Sequence, residues 1–182
     1  MPLTELPLEK AFMLIEPGPV LLVRTRNRGR SNIMTITWHM VTDFTPTIAL
    51  TTGPWNYSFQ ALMEPKECVL SVPGVDLAET AVSIGDCSGS EVDKFEKFGL
   101  TPLPAAEVRA PLIAECLANL ECRVTDYLES PGIFLLRGVR AWTNPDRKER
   151  RTFHANGDGT FVVDGGTVNL RNLMEDKLPP GV

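Results

Sequence analysis

Side chains that transition metals favour are scarce. The 182 residues hold two histidines, His39 and His154, and four cysteines, Cys68, Cys87, Cys116 and Cys122. No two cysteines form a C-x-x-C pair, so a structural zinc site is short of ligands and the thiols are expected to be reduced. No run approaches the eighteen or so apolar residues of a membrane helix, and Met1-Pro2-Leu3-Thr4-Glu5 is not a basic segment leading into an apolar one. A cytoplasmic chain without a membrane partner is expected. Basic residues are outnumbered, 18 Lys+Arg against 23 Asp+Glu, and a pI near 5.1 argues against nucleic acid as a partner. The P-loop pattern, a G-x-G-x-x-G turn and a G-x-S-x-G elbow are all missing, which removes support for a P-loop NTPase, a Rossmann dinucleotide domain and an α/β-hydrolase.

Fifteen prolines and fourteen glycines punctuate short apolar runs along the whole chain, the rhythm of a β-rich domain. The length suits one domain, residues 1–182. Strands are predicted at Val20–Arg26 and at Ser31–Met40, where Asn32, Met34, Ile36, Trp38 and Met40 share one face of a hairpin. Further strands are predicted at Thr47–Thr52 and Glu67–Val72. Asn56 or Ser58 is placed to cap a short helix carrying Phe59, Leu62 and Met63. Asp76–Ile84 reads as a second helix, and Ser90-Glu91-Val92-Asp93 as a capping box opening a third that Gly99 stops. Two long strands follow, about Cys116–Leu128 and Ile133–Thr143. Alternation sets Cys116, Ala118, Leu120, Cys122 and Val124 against Asn119, Glu121, Arg123 and Thr125, the signature of an antiparallel pair buried on one face. Asn144–Arg151 reads as a charged connector and Thr160–Val163 as a last strand. Adjacent strands without long intervening helices predict a mainly β fold, an antiparallel β-barrel with a few peripheral helices.

Three stretches can carry chemistry. Thr51-Thr52-Gly53…Asn56-Tyr57-Ser58 and Cys87-Ser88-Gly89-Ser90 each deliver small hydroxyl residues to a predicted helix start, suited either to an anion or to plain capping. In Asn32…Trp38, Asn32, Thr35 and Thr37 offer hydrogen bonds and Trp38 apolar surface, a mixture suited to a planar heteroaromatic ligand and equally to a barrel wall. His154 is a candidate proton donor or a structural residue.

Four ordered runs then carry a resemblance: Asn32-Ile33-Met34-Thr35-Ile36-Thr37-Trp38, Gly53-Pro54-Trp55-Asn56-Tyr57-Ser58, Ser88-Gly89-Ser90-Glu91-Val92-Asp93-Lys94-Phe95, and Ala110-Pro111-Leu112-Ile113-Ala114-Glu115-Cys116 with Leu120-Glu121-Cys122. From about residue 17 to 143 the chain resembles the flavin reductase-like family, in particular its flavoredoxin-type members. The resemblance implies an FMN-binding split β-barrel of Greek-key type, a homodimer with FMN near its interface, and an oxidoreductase fed by NADH or NADPH; the alternatives are an electron carrier served by a redox partner protein and a non-catalytic flavin-binding module. It puts Asn32, Met34, Thr35, Ile36, Thr37 and Trp38 beside the flavin. It puts Tyr57 and Ser58 near the ribityl-phosphate arm and Ser88, Gly89 and Lys94 at the second loop, Lys94 as a cation near the phosphate or the flavin N1–C2=O2 edge, with Thr51, Thr52, Gly53, Asn56 and Cys87 as further cofactor-binding candidates. Asn56 and Ser90 stand where many relatives carry a cation, leaving Lys94, Arg26, Arg28 or Arg30 to compensate. Residues 144–182 are expected to extend onto the barrel or a dimer partner, with Phe161 as a C-terminal aromatic near the flavin or, equally, a core residue.

Overall fold

A computed structural model describes residues 2–174 and 177–179. Its main sheet has eight strands: β1 (Thr4–Leu6), β2 (Leu21–Asn27), β3 (Arg30–Ile36), β4 (His39–Asp43), β5 (Thr47–Thr51), β6 (Glu67–Val72), β9 (Ala118–Leu128) and β10 (Ile133–Thr143). Two short ladders flank it, β7 (Pro102–Leu103) with β8 (Leu112–Ile113) and β11 (Phe153–Ala155) with β12 (Phe161–Val163). Three helices, α1 (Phe59–Met63), α2 (Ala78–Gly85) and α3 (Lys94–Lys97), sit outside. Among the described residues no helix is long and apolar enough to cross a membrane.

The strand order β3-β2-β6-β9-β10-β5-β4 places β3 and β4 at opposite ends of the path. Only Thr37 and Trp38 separate them in sequence. Two residues span at most about 7 Å, so the sheet must curl until its ends meet, which makes it a barrel. β10 splits its pairing, giving Ile133–Arg137 to β5 and Ala141–Thr143 to β1. The changeover falls at Gly138, where a Cβ would meet Leu120 at 2.9 Å and Pro46 at 3.0 Å; only a glycine lets the chain entering β5 come this close.

Leu21, Val23, Met34, Ile48, Leu50, Leu70, Leu120, Phe134 and Leu136 fill the barrel interior. A second core lies outside, where Leu22 and Ile33 meet Ala81 and Ile84 of α2, Phe95 and Phe153. The β2–β3 wall is therefore buried on both faces, which its apolar density permits.

Several expectations change. Ser31–Met40 is two strands broken at Thr37-Trp38, and the face it was to bury ends in solvent: Trp38 is 71% and Met40 59% exposed. The polar face of β9 is also covered at Asn119 and Glu121. Fully buried Glu121 accepts backbone N–H groups from Ala106, Glu107 and Val108 at 2.6–3.1 Å and the Trp142 indole at 2.7 Å. Beside it Arg24 is fully buried and donates to Pro111 O, to Ser71 Oγ at 2.7 Å and to Asn119 Oδ1 at 3.3 Å. Burial pulls its pKa down to about 10. The loop from β7 to β8 provides this cover, and strand alternation alone does not reveal it.

The predicted helix over Asp76–Ile84 begins as a 3-10 turn, Val75–Leu77, before α2. α3 is capped by Asp93, whose Oδ1 accepts from Phe95 N and Glu96 N, and not by Ser90. β1 and the 3-10 segment Leu8–Leu14 escape the sequence pattern, because Leu3, Leu6, Leu8 and Leu14 are only half-buried and the two buried residues, Ala11 and Phe12, are adjacent and set no period. Of the C-terminal extension, the β11–β12 hairpin packs on the outer core through Phe153; residues 175–176 and 180–182 lie outside the described residues.

Candidate functional site

β3 ends the sheet path, with β2 on one side only. Along its other side run three adjoining hollows. The first, about 240 Å³, is lined by Thr35, Ile36, Thr37, Trp38, Thr51, Thr52, Trp55 and Asn56. A second, about 300 Å³, shares Thr35, Trp55 and Asn56 with it and adds Asn32, Met34, Tyr57, Lys94 and the α2 terminus from Ile84 through Gly89. The third, about 350 Å³, shares Asn32 and Tyr57 and adds Thr25, Asn27, Arg28, Arg30, Gln60, Ala61 and Glu64. Shared walls make one trough. Both parities of β3 line it, so it follows the strand's free edge, where main-chain N–H and C=O groups are open to a ligand. From Arg30 to Thr37 that edge spans about 23 Å at roughly 3.3 Å per residue.

The loops on its two sides are held by β3. Asn32, 5% exposed, donates Nδ2–H to Ser58 Oγ at 2.7 Å and so fixes the turn before α1. Asn56 Oδ1 accepts from Ser58 N at 3.0 Å, which closes the same turn. Across the trough, Gly89 rests directly on the Asn32 amide; a Cβ there would come within 2.0 Å of Oδ1. Asn32 Oδ1 is buried without a hydrogen-bond partner in the protein. An orphaned buried acceptor costs about 1–3 kcal/mol, a cost carried here by a residue in the trough wall.

Lys94 was expected to offer its charge to a phosphate or to the N1–C2=O2 edge of a flavin. Instead its side chain is buried, and Nζ donates at 2.8 Å to Ile33 O on β3 and at 2.8 Å to Ile84 O in the last turn of α2. Burial lowers its pKa. It lines the trough but acts as a strut between strand and helix, at the helix end where a cation is favoured. Thr35 likewise spends its hydroxyl on Ala81 O at 2.5 Å. The helices after the two loops have only five and four residues, too few for a sizeable macrodipole. Helix-end charge therefore gives the two hydroxyl-rich loops no pull on an anion, and Asp93 already caps Phe95 N and Glu96 N at the second.

Two expected site residues lie elsewhere. Phe161 packs edge-on against Phe153, centroids 5.7 Å apart, in the outer core and lines none of the three hollows. His154 bridges Gly18 O at 3.0 Å and Asp164 Oδ1 at 2.7 Å, tying the C-terminal hairpin to the N-terminal segment. Neither reaches the trough because the hairpin sits over the outer core. Cys87 and Ser88 line the middle hollow, whereas Cys68, Cys116 and Cys122 are buried free thiols, Cys116 pushed up to about 12 by burial. Thr25, Trp55, Ile84, Gly85 and Asp86 are wall residues that the sequence did not single out; Thr25 faces Asn32 across the β2–β3 ladder, a register that strand pairing would have exposed.

Residues 13–160 match the family model of the flavin reductase like domain. An uncharacterized protein of Archaeoglobus fulgidus is 34% identical over 102 residues, covering 56% of this chain and 58% of its own length. In structure the chain is similar to an FMN-binding domain of a flavin reductases-like enzyme from Shewanella baltica OS155, with a TM-score of 0.85 at 22% identity over 92% of this chain and 97% of that one. It is also similar to the flavoredoxin of Desulfovibrio vulgaris (Miyazaki F), with a TM-score of 0.76 at 24% identity over 84% and 89%. At these identities the structural likeness speaks to the fold, a split barrel.

Proposed function

The chain belongs to the flavin reductase-like family, and on that premise we propose that it is an FMN-dependent oxidoreductase that passes electrons from NADH or NADPH to an acceptor. One observation carries the reading: a trough along an open strand edge in which the buried Asn32 amide oxygen has no partner. A flavin fits this donor set. Free main-chain groups of β3 and the Asn32 amide suit the heterocycle's hydrogen-bonding edge, and Trp38, Trp55 and Met34 supply apolar cover. Asn56, Tyr57 and the Ser88-Gly89 turn would hold its polar arm.

When bound, FMN would supply the redox chemistry, accepting hydride and releasing electrons. The protein's part is to bind, orient and shield. That division agrees with a lining in which neither histidine takes part.

A second copy of the chain belongs to the proposal. Trp38, Trp55 (77% exposed) and Tyr57 line the trough yet remain exposed, and Met40 is exposed on the neighbouring strand β4, apolar surface of the kind that marks an interface. A cytoplasmic setting is part of the same reading, supported by four free thiols.

The test is spectroscopic. Purified protein should quench FMN fluorescence and carry a flavin absorption band that bleaches on anaerobic addition of NADH or NADPH. A protein that leaves FMN fluorescence unchanged refutes the reading. Bleaching by dithionite alone would replace the reductase with an electron carrier lacking a nicotinamide site.

A further inference from the structure

The two loops that flank the trough contain no cation: residues 51–58 and 85–93 have neither Lys nor Arg, and Asp86, Glu91 and Asp93 are acidic. An anion carrying −1.5 to −2 charges, as a phosphate monoester does near pH 7, must therefore find its counter-charge elsewhere. Lys94 is spent on two carbonyls. Arg24 is buried on the outer face of β2, and strand alternation puts Arg26 on that face too. Arg28 and Glu64 line the same hollow as Arg30 and pair with each other at 3.4 Å, so the Arg28 charge is offset by that carboxylate.

Arg30 is differently placed. It shares the face of Asn32 at the start of β3, and its Nη2 donates to Ser90 O at 3.0 Å while its guanidinium stands 5.9 Å from the Tyr57 ring centroid. One side chain from the strand thus touches both cation-free loops. It borders the hollow that also holds Thr25, fully buried, with an Oγ1 that has no partner. A hydroxyl donor, a forked guanidinium and an aromatic edge around one hollow match a tetrahedral oxyanion.

We propose that Arg30 is the phosphate-binding cation of this site and sets its preference for a phosphorylated flavin over an unphosphorylated one. The assignment rests on the FMN reading above and goes beyond it, because it fixes which end of the trough receives the charge.

The experiment compares FMN with riboflavin, which lacks only the phosphate. Wild-type protein should bind FMN more tightly by about 10- to 100-fold, the scale of a charge-assisted fork. Arg30→Gln should remove most of that ratio by weakening FMN alone, and Arg30→Lys should restore part of it. Placing a cation on the loop, Asn56→Arg in the Arg30→Gln background, should restore it as well. Thermal unfolding of the ligand-free variants should match wild type, since Arg30 is exposed. An Arg30→Gln protein that keeps the wild-type ratio overturns the proposal and leaves the flavin reading standing, and equal loss of both ligands makes Arg30 a loop strut only. Wild-type protein that binds neither flavin overturns both.

Discussion

Gly89→Ala tests whether the site is one clamped unit. The added methyl would stand 2.0 Å from Asn32 Oδ1 and 2.4 Å from its Cγ, far inside van der Waals contact. Asn32 has little room to yield, being buried and bound to Ser58 Oγ at 2.7 Å. Overpacking costs about 1–3 kcal/mol, and releasing the Ser58 bond about 1 kcal/mol more. At roughly 2–4 °C per kcal/mol for a domain of this size, the ligand-free protein should melt about 5–15 °C below wild type. Asn32→Ala alone loses the same bond but also deletes an acceptor that has no partner, so it should stay within about 1 kcal/mol of wild type. In the double variant the methyl enters the space left by the amide. The two effects should then couple by about 1–3 kcal/mol. Melting curves of the four proteins, with FMN titrations beside them, decide the matter. Additive losses, or a Gly89→Ala protein as stable as wild type, would show that the loop after α2 does not rest on Asn32, and the preformed trough would go with it.

Three more expectations follow from the contacts. His39 donates Nε2–H to Pro19 O at 2.7 Å, which leaves Nδ1 buried without a partner, and burial lowers its pKa from 6.5; the folded state therefore favours the neutral ring, so stability is full above pH 6.5 and declines as pH falls through the folded value. His39→Gln should flatten the melting curve between pH 7 and 5, and a wild-type curve already flat there refutes the argument. Lys94→Met should lower the melting temperature by about 2–10 °C, because two carbonyls lose their donor, while the FMN to riboflavin ratio stays; the reverse outcome would return Lys94 to the phosphate. Met40→Glu, placing charge on an exposed apolar side chain two residues from Trp38, should shift sedimentation from near twice 20.1 kDa to the monomer, and a wild-type monomer removes the proposed interface.

Periodicity identified what periodicity controls. Glu67–Val72 and Ile133–Thr143 are strands at the expected residues, since alternating or continuous apolar runs bounded by Pro and Gly leave few other ways to bury them. It failed where burial comes from elements distant in sequence. Asn119 and Glu121 look like a solvated face, and only the β7–β8 loop, supplying N–H donors to a carboxylate, turns that face inward. Trp38 and Met40 look like core by parity, yet the barrel closes at Thr37-Trp38 and leaves them outside. The family resemblance brought out the residues around Asn32, Tyr57 and Ser88-Gly89, which share one trough. It did not separate cations that work on a ligand from cations that work on the fold. Lys94 and Arg30 are both basic residues within or beside matched motifs, and only their hydrogen-bond partners tell them apart.

That difference has a physical origin in how β3 is held. A strand at the end of a sheet is ordinarily its softest member, with half its main-chain groups unpaired. Here Thr35 Oγ1 and Lys94 Nζ pin its outer side to α2, Asn32 pins its inner side to the turn before α1, and β2 pairs with it from Arg30 to Ile36. Each anchor takes a side chain that would otherwise be open to a ligand. What is left for a ligand is the strand's own free edge, one unpartnered amide oxygen on Asn32 and whatever reaches in from the rim. Rigidity of the edge reduces the entropy lost on binding, and it comes from residues that never touch the ligand. The same arrangement agrees with the proposed counter-charge at Arg30, the strand's first position. Any cation further along β3 would lie under α2 or inside the barrel, where desolvation would oppose its charge.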